Sequence, residues 1–258
     1  MTSTNLYQNC AIVIPAYNEA NTIIDVANKA LIYTPNVIIV NDASTDSTAA
    51  LAQETKAIVI SHAVNSGKAE ALITGFNHAK SLNGIDFVVT LDGDGQHNPD
   101  NIPELIQAYE AYPIHLIIAA RLNNRENAPK ARLFANKFAD FWVSWAASNK
   151  IVDSQSGFRL YPIALVKQIK SHYKKAQGFV FESEILIIAA KIDFKFAFVS
   201  IDSFYPEQRR ASHFRPVYDI LQITRMVAST LFKKALNLPG LFNFFLTQPK
   251  IFSSKGNI

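Results

Sequence analysis

Cysteine is almost absent. Cys10 is the sole one among 258 residues, which excludes a disulfide framework and a thiolate metal site and points to a reducing cytosol. Long apolar runs are missing too. A bilayer span needs roughly 18 uninterrupted apolar residues, whereas Ile185–Ile201 is broken by Lys191, Asp193 and Lys195, and Leu236–Leu246 by Pro239-Gly240. No transmembrane segment is expected. The opening MTSTNLYQN has neither a basic flank nor an apolar core, so no signal peptide is expected. Glycine is scarce, nine in all, and no Gly-x-Gly-x-x-Gly follows the first apolar run, which removes a dinucleotide fingerprint. Gly67-Lys68 fails as a P-loop, with His62 in place of its first glycine and Ala69 in place of its Ser or Thr. Zinc-finger spacing, RNP-like aromatics and a helix-turn-helix pattern are all missing, so nucleic acid is not an expected partner.

The chain is 49% apolar, enough to bury a large core as one α/β domain with an appendage. Apolar runs at Cys10–Ile14, Val37–Val40, Ile58–Ser61, Phe87–Leu91 and His115–Ala120 alternate with helical patterns at Thr22–Ile32, from Lys68 to Ala79, and from Asn98 onward. That alternation predicts a largely parallel sheet with right-handed crossovers, its polar loops gathered along one edge.

The most informative stretch is Phe87–Asn98, FVVTLDGDGQHN. A buried strand runs into a turn that offers Asp92, Asp94 and Gln96 at alternate positions, and strand ends of an open α/β sheet are where ligands sit. Two carboxylates and an amide suit a hard cation, Mg²⁺ or Mn²⁺, and Gly93 and Gly95 let a diphosphate approach the backbone. An EF-hand loop is excluded by His97 at its sixth position and Pro103 at its twelfth. A haloacid-dehalogenase Asp-x-Asp normally opens its domain, whereas βα units precede this one. A plain surface turn of Asp, Gly and Asn remains open.

Beyond Arg121 the pattern changes. Residues 122–132 are polar, and then Phe134, Phe138, Phe141 and Trp145 recur at helical spacing beside Trp142; this reads as a core-facing helix or as an aromatic gate beside an apolar acceptor. Asp153-Ser154-Gln155-Ser156-Gly157-Phe158-Arg159 follows, and then Phe179–Glu184, whose Glu182 and Glu184 also suit the dipole of a helix start. Residues 206–258 carry eight Lys/Arg against two Asp/Glu, a balance of +6 in a chain of net +4. Within them Val217, Ile220, Leu221, Val227 and Leu231 share one helical face, Gln222, Arg225, Ser229 and Lys233 another, and Phe242, Phe244 and Phe245 follow. An anionic membrane surface or lipid phosphate is the expected partner of this tail, through the apolar face of that helix; that face packing on the protein's own core or pairing with a second subunit stays open beside it.

In order along residues 8–215, these pieces resemble an inverting family 2 glycosyltransferase of the GT-A fold, most like the dolichol- and polyprenyl-phosphate sugar transferases. Ile14–Ala20 (IPAYNEA) resembles the first nucleotide-binding loop and Val40–Ser44 (VNDAS) the usual Val-Asp-Asp-Gly-Ser. Asn65–Lys68 matches the next loop, LDGDGQH the Asp-x-Asp metal motif, Ala120-Arg121 the short basic motif, and SGFR with FESE the acceptor-side half. The resemblance implies that Pro15, Tyr17, Glu19, Asp42 and Lys68 line the nucleotide-sugar pocket, and that Asp92, Asp94 and Gln96 hold a metal bridging the donor diphosphate. It further implies that Arg121, Arg209, Arg210 and Arg215 stabilise negative charge, and that Asp153 serves the acceptor with Ser156 and Arg159. Asn41 departs from the family's first acid, and His213 stands where a lysine is common. The Gln-x-x-Arg-Trp signature of processive synthases is missing, which implies one sugar per encounter.

The expected organisation is a GT-A domain over residues 1–205 with a basic amphipathic tail over 206–258. The expected function is metal-dependent, inverting transfer of one sugar from a nucleotide-sugar to an acceptor, foremost a polyprenyl phosphate, by a cytoplasmic enzyme peripheral to the inner face of a membrane or attached to a membrane-protein subunit. Two readings stay open beside it: transfer to a saccharide hydroxyl in cell-envelope glycan synthesis, and a catalytically silent nucleotide-sugar-binding protein.

Overall fold

The computed structural model describes residues 7–123, 130–169, 180–202, 216–233 and 235–253, with backbone alone for 130–132, 216–223, 233 and 235. In chain order its elements are β1 (Cys10–Ala16), α1 (Ile23–Leu31), β2 (Val37–Asn41), α2 (Thr48–Gln53), β3 (Ile58–Ser61), α3 (Lys68–Ser81), β4 (Phe87–Thr90), α4 (Ile102–Ala111), β5 (His115–Asn123), α5 (Lys130–Ala147), β6 (Arg159–Pro162), α6 (Ile163–Gln168), α7 (Val180–Lys191), β7 (Lys195–Asp202), α8 (Pro216–Lys233), α9 (Leu238–Leu246) and β8 (Ile251–Phe252). They fall into two compact units, one of residues 1–106 with 157–176 and the other of 107–156 with 177–258.

In the first unit the strands lie in the order β3-β2-β1-β4-β6. The first four are parallel, and β6 runs antiparallel to β4 with Thr90 opposite Arg159. Every residue of β1 and β2 is buried, which is why CAIVIPA and VIIVN are apolar almost throughout instead of alternating. Helix α1 turns Ile23, Val26, Ala27 and Ala30 inward, the spacing of one helical face. The parallel register sets Ala16 beside Asn41 and Val13 beside Thr90, so the loops leaving β1, β2 and β4 gather at one edge, as the alternation predicts.

In the second unit β5, β7 and β8 are parallel, and α5 packs against α7, α8 and α9. Strand β7 was not among the expected elements. The charges that interrupt the apolar stretch 185–201 mark the turn from α7 into β7, where Asp193 takes a φ of 63°. Strands β6 and β8, of four and two residues, are too short to show a period.

Residues 206–258 contribute α8, α9 and β8 to this second unit. Of the apolar face expected to meet a membrane, Val227 is 1% and Leu231 3% exposed, and the helix that carries them packs on α5 and α7. The side chains of Val217, Ile220 and Leu221 lie outside the described residues. Among the described residues no helix is long and apolar enough to cross a membrane.

His115, at the head of β5, is buried with neither ring nitrogen hydrogen-bonded among the described residues. Burial lowers its pKa, and the positive charges of Lys250 and Lys195 lower it further. The fold therefore holds a neutral imidazole that an unfolded chain protonates near pH 6.5. Because the folded pKa is depressed, the stability it confers is full above that value and lost as pH falls through the folded pKa. In urea unfolding between pH 7.5 and 5, the stability of His115→Leu relative to the parent should move in favour of the variant as pH falls; a difference that stays constant would contradict this.

Candidate active site

The loop after β2 is built around one carboxylate. Asp42, 3% exposed, accepts hydrogen bonds from His62 Nδ1 at 2.7 Å, from the Ser66 amide at 2.9 Å and from the Gly67 amide at 2.7 Å. The far side of His62 meets Thr74 Oγ1 on α3 at 2.9 Å. With Nδ1 facing a carboxylate, the ring carries a proton there. The sequence expectation gave Asp42 a role at the nucleotide; in the structure its oxygens shape the loop that delivers Lys68 to the start of α3.

Lys68 Nζ lies 2.7 Å from Asp92 Oδ1. The lysine of Asn65–Lys68 thus neutralises the first acid of the Asp-x-Asp turn. His97 stands on the other side, its Nε2 3.9 Å from Asp92 Oδ2 and its ring against Phe158 at 5.4 Å. Asp94 Oδ1 accepts the backbone N–H of Gln96 at 3.0 Å, a local turn that leaves the Gln96 side chain exposed. Gly157 completes the cradle: a Cβ there would sit 2.9 Å from Asp92 Oδ2 and 3.0 Å from both Asp92 Oδ1 and Lys68 Nζ. Its carbonyl is held by Thr90 Oγ1 at 2.6 Å, so the missing side chain keeps space open beside the carboxylate.

The loop after β1 is tied to both others. Asn18 N donates to Ser44 Oγ at 2.9 Å, Glu19 N to Thr48 Oγ1 at 2.7 Å, and Thr45 N to Asn18 Oδ1 at 2.7 Å. Thr22 Oγ1 donates to the Gly93 carbonyl at 2.6 Å. Tyr17 and Glu19 are half-buried here, while Pro15 is buried within β1 opposite Val40. Arg159 is fully buried in β6 and has no surface open to a ligand in this conformation. Arg209, Arg210 and Arg215 lie outside the described residues.

These residues fit a divalent ion. Asp92 and Asp94 are hard oxygen donors with Gln96 beside them, and Asp92 already holds one positive charge where a cation would bind. Among the described residues no group of three or more His, Cys, Asp or Glu is placed to hold a metal ion; Mg²⁺ is commonly held by one or two carboxylates together with substrate phosphates.

In the second unit Asp153 and Arg121 form a fork. Arg121 donates its backbone N–H and its Nε to Asp153 Oδ2, each at 2.8 Å, and its Nη2 to Oδ1 at 2.7 Å. Asp153 takes a left-handed φ of 52°, stabilised from α5: Asp140 accepts the backbone N–H of Asp153 at 3.0 Å and that of Ser154 at 2.7 Å. Ser156 Oγ donates to the Ala119 carbonyl at 2.7 Å. Asp140 keeps some exposure as a residue, but protein encloses its carboxyl. That desolvation, with the neighbouring charge of Asp153, pushes its pKa up to about 6 against the opposing hydrogen bonds. Sequence reasoning missed Asp140, His62 and His97; of the three only His97 carries a local signal, as the last residue of LDGDGQH.

The model of the family described as glycosyl transferase family 2 matches residues 11–162. A relative from Methanococcus voltae, UDP-N-acetylglucosamine–dolichyl-phosphate N-acetylglucosaminyltransferase, is 32% identical over 78% of this chain and 87% of its own. Polyprenol monophosphomannose synthase of Mycolicibacterium smegmatis is 26% identical over 69% of this chain and 71% of its own. Among solved structures, glucosyl-3-phosphoglycerate synthase from Mycobacterium tuberculosis in complex with phosphoglyceric acid is 22% identical over 88% of this chain and 80% of that one, with a TM-score of 0.65. The same protein with Mn²⁺, UDP and phosphoglyceric acid gives 0.61.

Asp140 is testable through pH. Its folded pKa lies above the unfolded value of about 3.9, so the stability it confers is complete below that value and lost as pH rises through about 6. Between pH 4 and 7.5 the unfolding free energy of Asp140→Asn should move in favour of the variant, relative to the parent, by on the order of 1–3 kcal/mol. A difference that stays constant across this range would contradict the assignment.

Proposed function

The chain belongs to glycosyl transferase family 2, and on that premise we propose that it moves one sugar, with inversion, from a nucleotide-sugar to a polyprenyl phosphate at the surface of the membrane that holds the lipid. A phosphate oxygen of the acceptor forms the new bond to the anomeric carbon. The bond from that carbon to the donor diphosphate breaks, and its electron pair leaves with the nucleoside diphosphate. The names of the Methanococcus voltae and Mycolicibacterium smegmatis relatives support this acceptor class.

The observation that carries the reading is the Asp92–Lys68 pair beside Gly157. Asp92, Asp94 and Gln96 would hold a divalent ion, which would supply Lewis-acid stabilisation of the charge on the departing diphosphate. Lys68, displaced from Asp92, is the side chain within reach to turn to a diphosphate oxygen and balance the charge that develops there. The loops 15–22 and 41–48, knit by Asn18 and Glu19, form the wall for the nucleotide.

The Arg121–Asp153 fork supports a phosphate acceptor over a hydroxyl. Both Asp153 oxygens already accept from Arg121, so the carboxylate is occupied as an acceptor and is poorly placed to take a proton. A hydroxyl needs such a base, worth roughly 10²–10⁴ in rate; an ionised phosphate does not. Arg121 and Asp153 then orient the acceptor side.

A thermal screen of UDP-, GDP- and TDP-sugars with Mn²⁺ tests this, beginning with UDP-N-acetylglucosamine. A donor at 100 times its Kd should add about 2.7 kcal/mol, an increment that EDTA and Asp94→Asn each remove, while the unliganded stability of the variant stays within about 0.5 kcal/mol of the parent. Asp153→Asn should retain measurable turnover with polyprenyl phosphate. Transfer undiminished in EDTA contradicts the metal site. A loss of three or more powers of ten in Asp153→Asn with a hydroxyl acceptor, polyprenyl phosphate being unused, contradicts the lipid assignment.

A further inference from the structure

The end of α8 and the outer side of α9 carry large apolar side chains that the rest of the second unit leaves uncovered. Phe232 is 76% exposed, Leu238 56%, Phe242 65%, Phe245 68% and Leu246 78%, with Leu236 at 49% between the helices. This exposure is built into the fold. The corner joining α8 to α9 puts two consecutive non-glycine residues in the left-handed region, Leu236 at φ 64° and Asn237 at φ 44°, a conformation that persists only where its surroundings enforce it.

Helix α5 enforces it. Trp145 Nε1 donates to the carbonyls of Leu236 and Asn237, both at 3.1 Å, and Asn237 Nδ2 donates back to the Trp145 carbonyl at 2.8 Å and to Ser148 Oγ at 2.9 Å. Gly240 is required at this contact, since a Cβ would lie 2.7 Å from the Trp145 carbonyl and closer still to the Asn237 amide. On the inner side of α9, Phe244 meets Phe141 at 5.1 Å, while Lys150 Nζ sits 3.8 Å from the Phe244 ring centre and donates to its carbonyl at 3.2 Å. One side of α9 is thus fixed to α5 and the other is presented outward.

We propose that this corner docks on a lipid bilayer bearing anionic headgroups, with Phe242, Phe245 and Leu246 seated at the boundary between headgroups and acyl chains. Apolar side chains that protrude from a rigid helical corner suit insertion to roughly 5–10 Å in such a boundary. Charge selects the bilayer over a second copy of the chain. Residues 206–258 hold eight basic against two acidic residues, and Arg225 and Lys250 are exposed. Pairing two copies through a segment of this net charge sets like charges against each other, whereas an anionic leaflet is attracted to it. The docking surface deepens the lipid-phosphate reading and rests on it for its biological sense, but it is measured without the acceptor.

The test uses the full chain with vesicles of phosphatidylcholine and phosphatidylglycerol that contain no polyprenyl phosphate. The parent should co-sediment, more weakly as salt rises and as phosphatidylglycerol is left out. The double variant Phe242→Ser, Phe245→Ser should bind at least about tenfold more weakly, yet transfer sugar to a short, water-soluble prenyl phosphate at the parent's rate. Phe245→Trp, which keeps the apolar surface, should add blue-shifted emission on vesicle addition, quenched by brominated lipid. Equal vesicle binding by parent and double variant, or emission from Phe245→Trp that is indifferent to vesicles, overturns the proposal. So does a parent that ignores vesicles but sediments as a dimer that the double variant dissociates. If vesicle binding fails while transfer to the soluble acceptor persists, the docking surface falls and the acceptor assignment stands.

Discussion

A buried carboxylate needs partners, and the way Asp42 obtains them organises the site. Leaving its oxygens unsatisfied at 3% exposure would cost several kcal/mol. The backbone of Ser66 and Gly67 and the ring of His62 supply the hydrogen bonds instead. That requirement fixes the path of residues 62–67, which decides where α3 begins and so where Lys68 points. Asp92 is neutralised as a consequence, and the Asp-x-Asp turn is held open beside Gly157 before any ligand arrives.

The second unit repeats the device with different residues. Asp140 binds the backbone of the turn that carries Asp153, and Asp153 in turn holds Arg121 by side chain and backbone. Burial, with the charge of Asp153 beside it, raises the pKa of Asp140 to about 6. Such an arrangement weakens the fold near neutral pH, so its presence is understood through the left-handed Asp153 it supports. Both units set one acid to shape a loop and a second acid to face a cation.

What could be read in the sequence was whatever is local. The parallel α/β pattern, the strand ending at Leu91 and the alternating Asp92, Asp94 and Gln96 need only a window of a dozen residues, and the structure bears out the fold. The pairing of Lys68 with Asp92 is not local; as a helix-start lysine it is indistinguishable from a solvated one until Asp42 bends its loop. Asp140 was hidden in an aromatic stripe, its partners 13 and 14 residues away. The tail shows the limit most clearly. A helical wheel groups Val227 with Leu231 but does not say which face turns inward, and α8 buries these two while one side of α9, read only as a run of phenylalanines, faces out.

The central claim, that an acceptor phosphate displaces a nucleoside diphosphate from a sugar, is tested most directly by the products. The protein would be incubated with Mn²⁺, the nucleotide-sugar that stabilises it and a polyprenyl phosphate, and both phases analysed by mass spectrometry. The account predicts nucleoside diphosphate and a lipid monophosphate carrying a single sugar in equal amounts. Nucleoside monophosphate with a sugar-bearing lipid diphosphate, or free sugar without a lipid product, would contradict it.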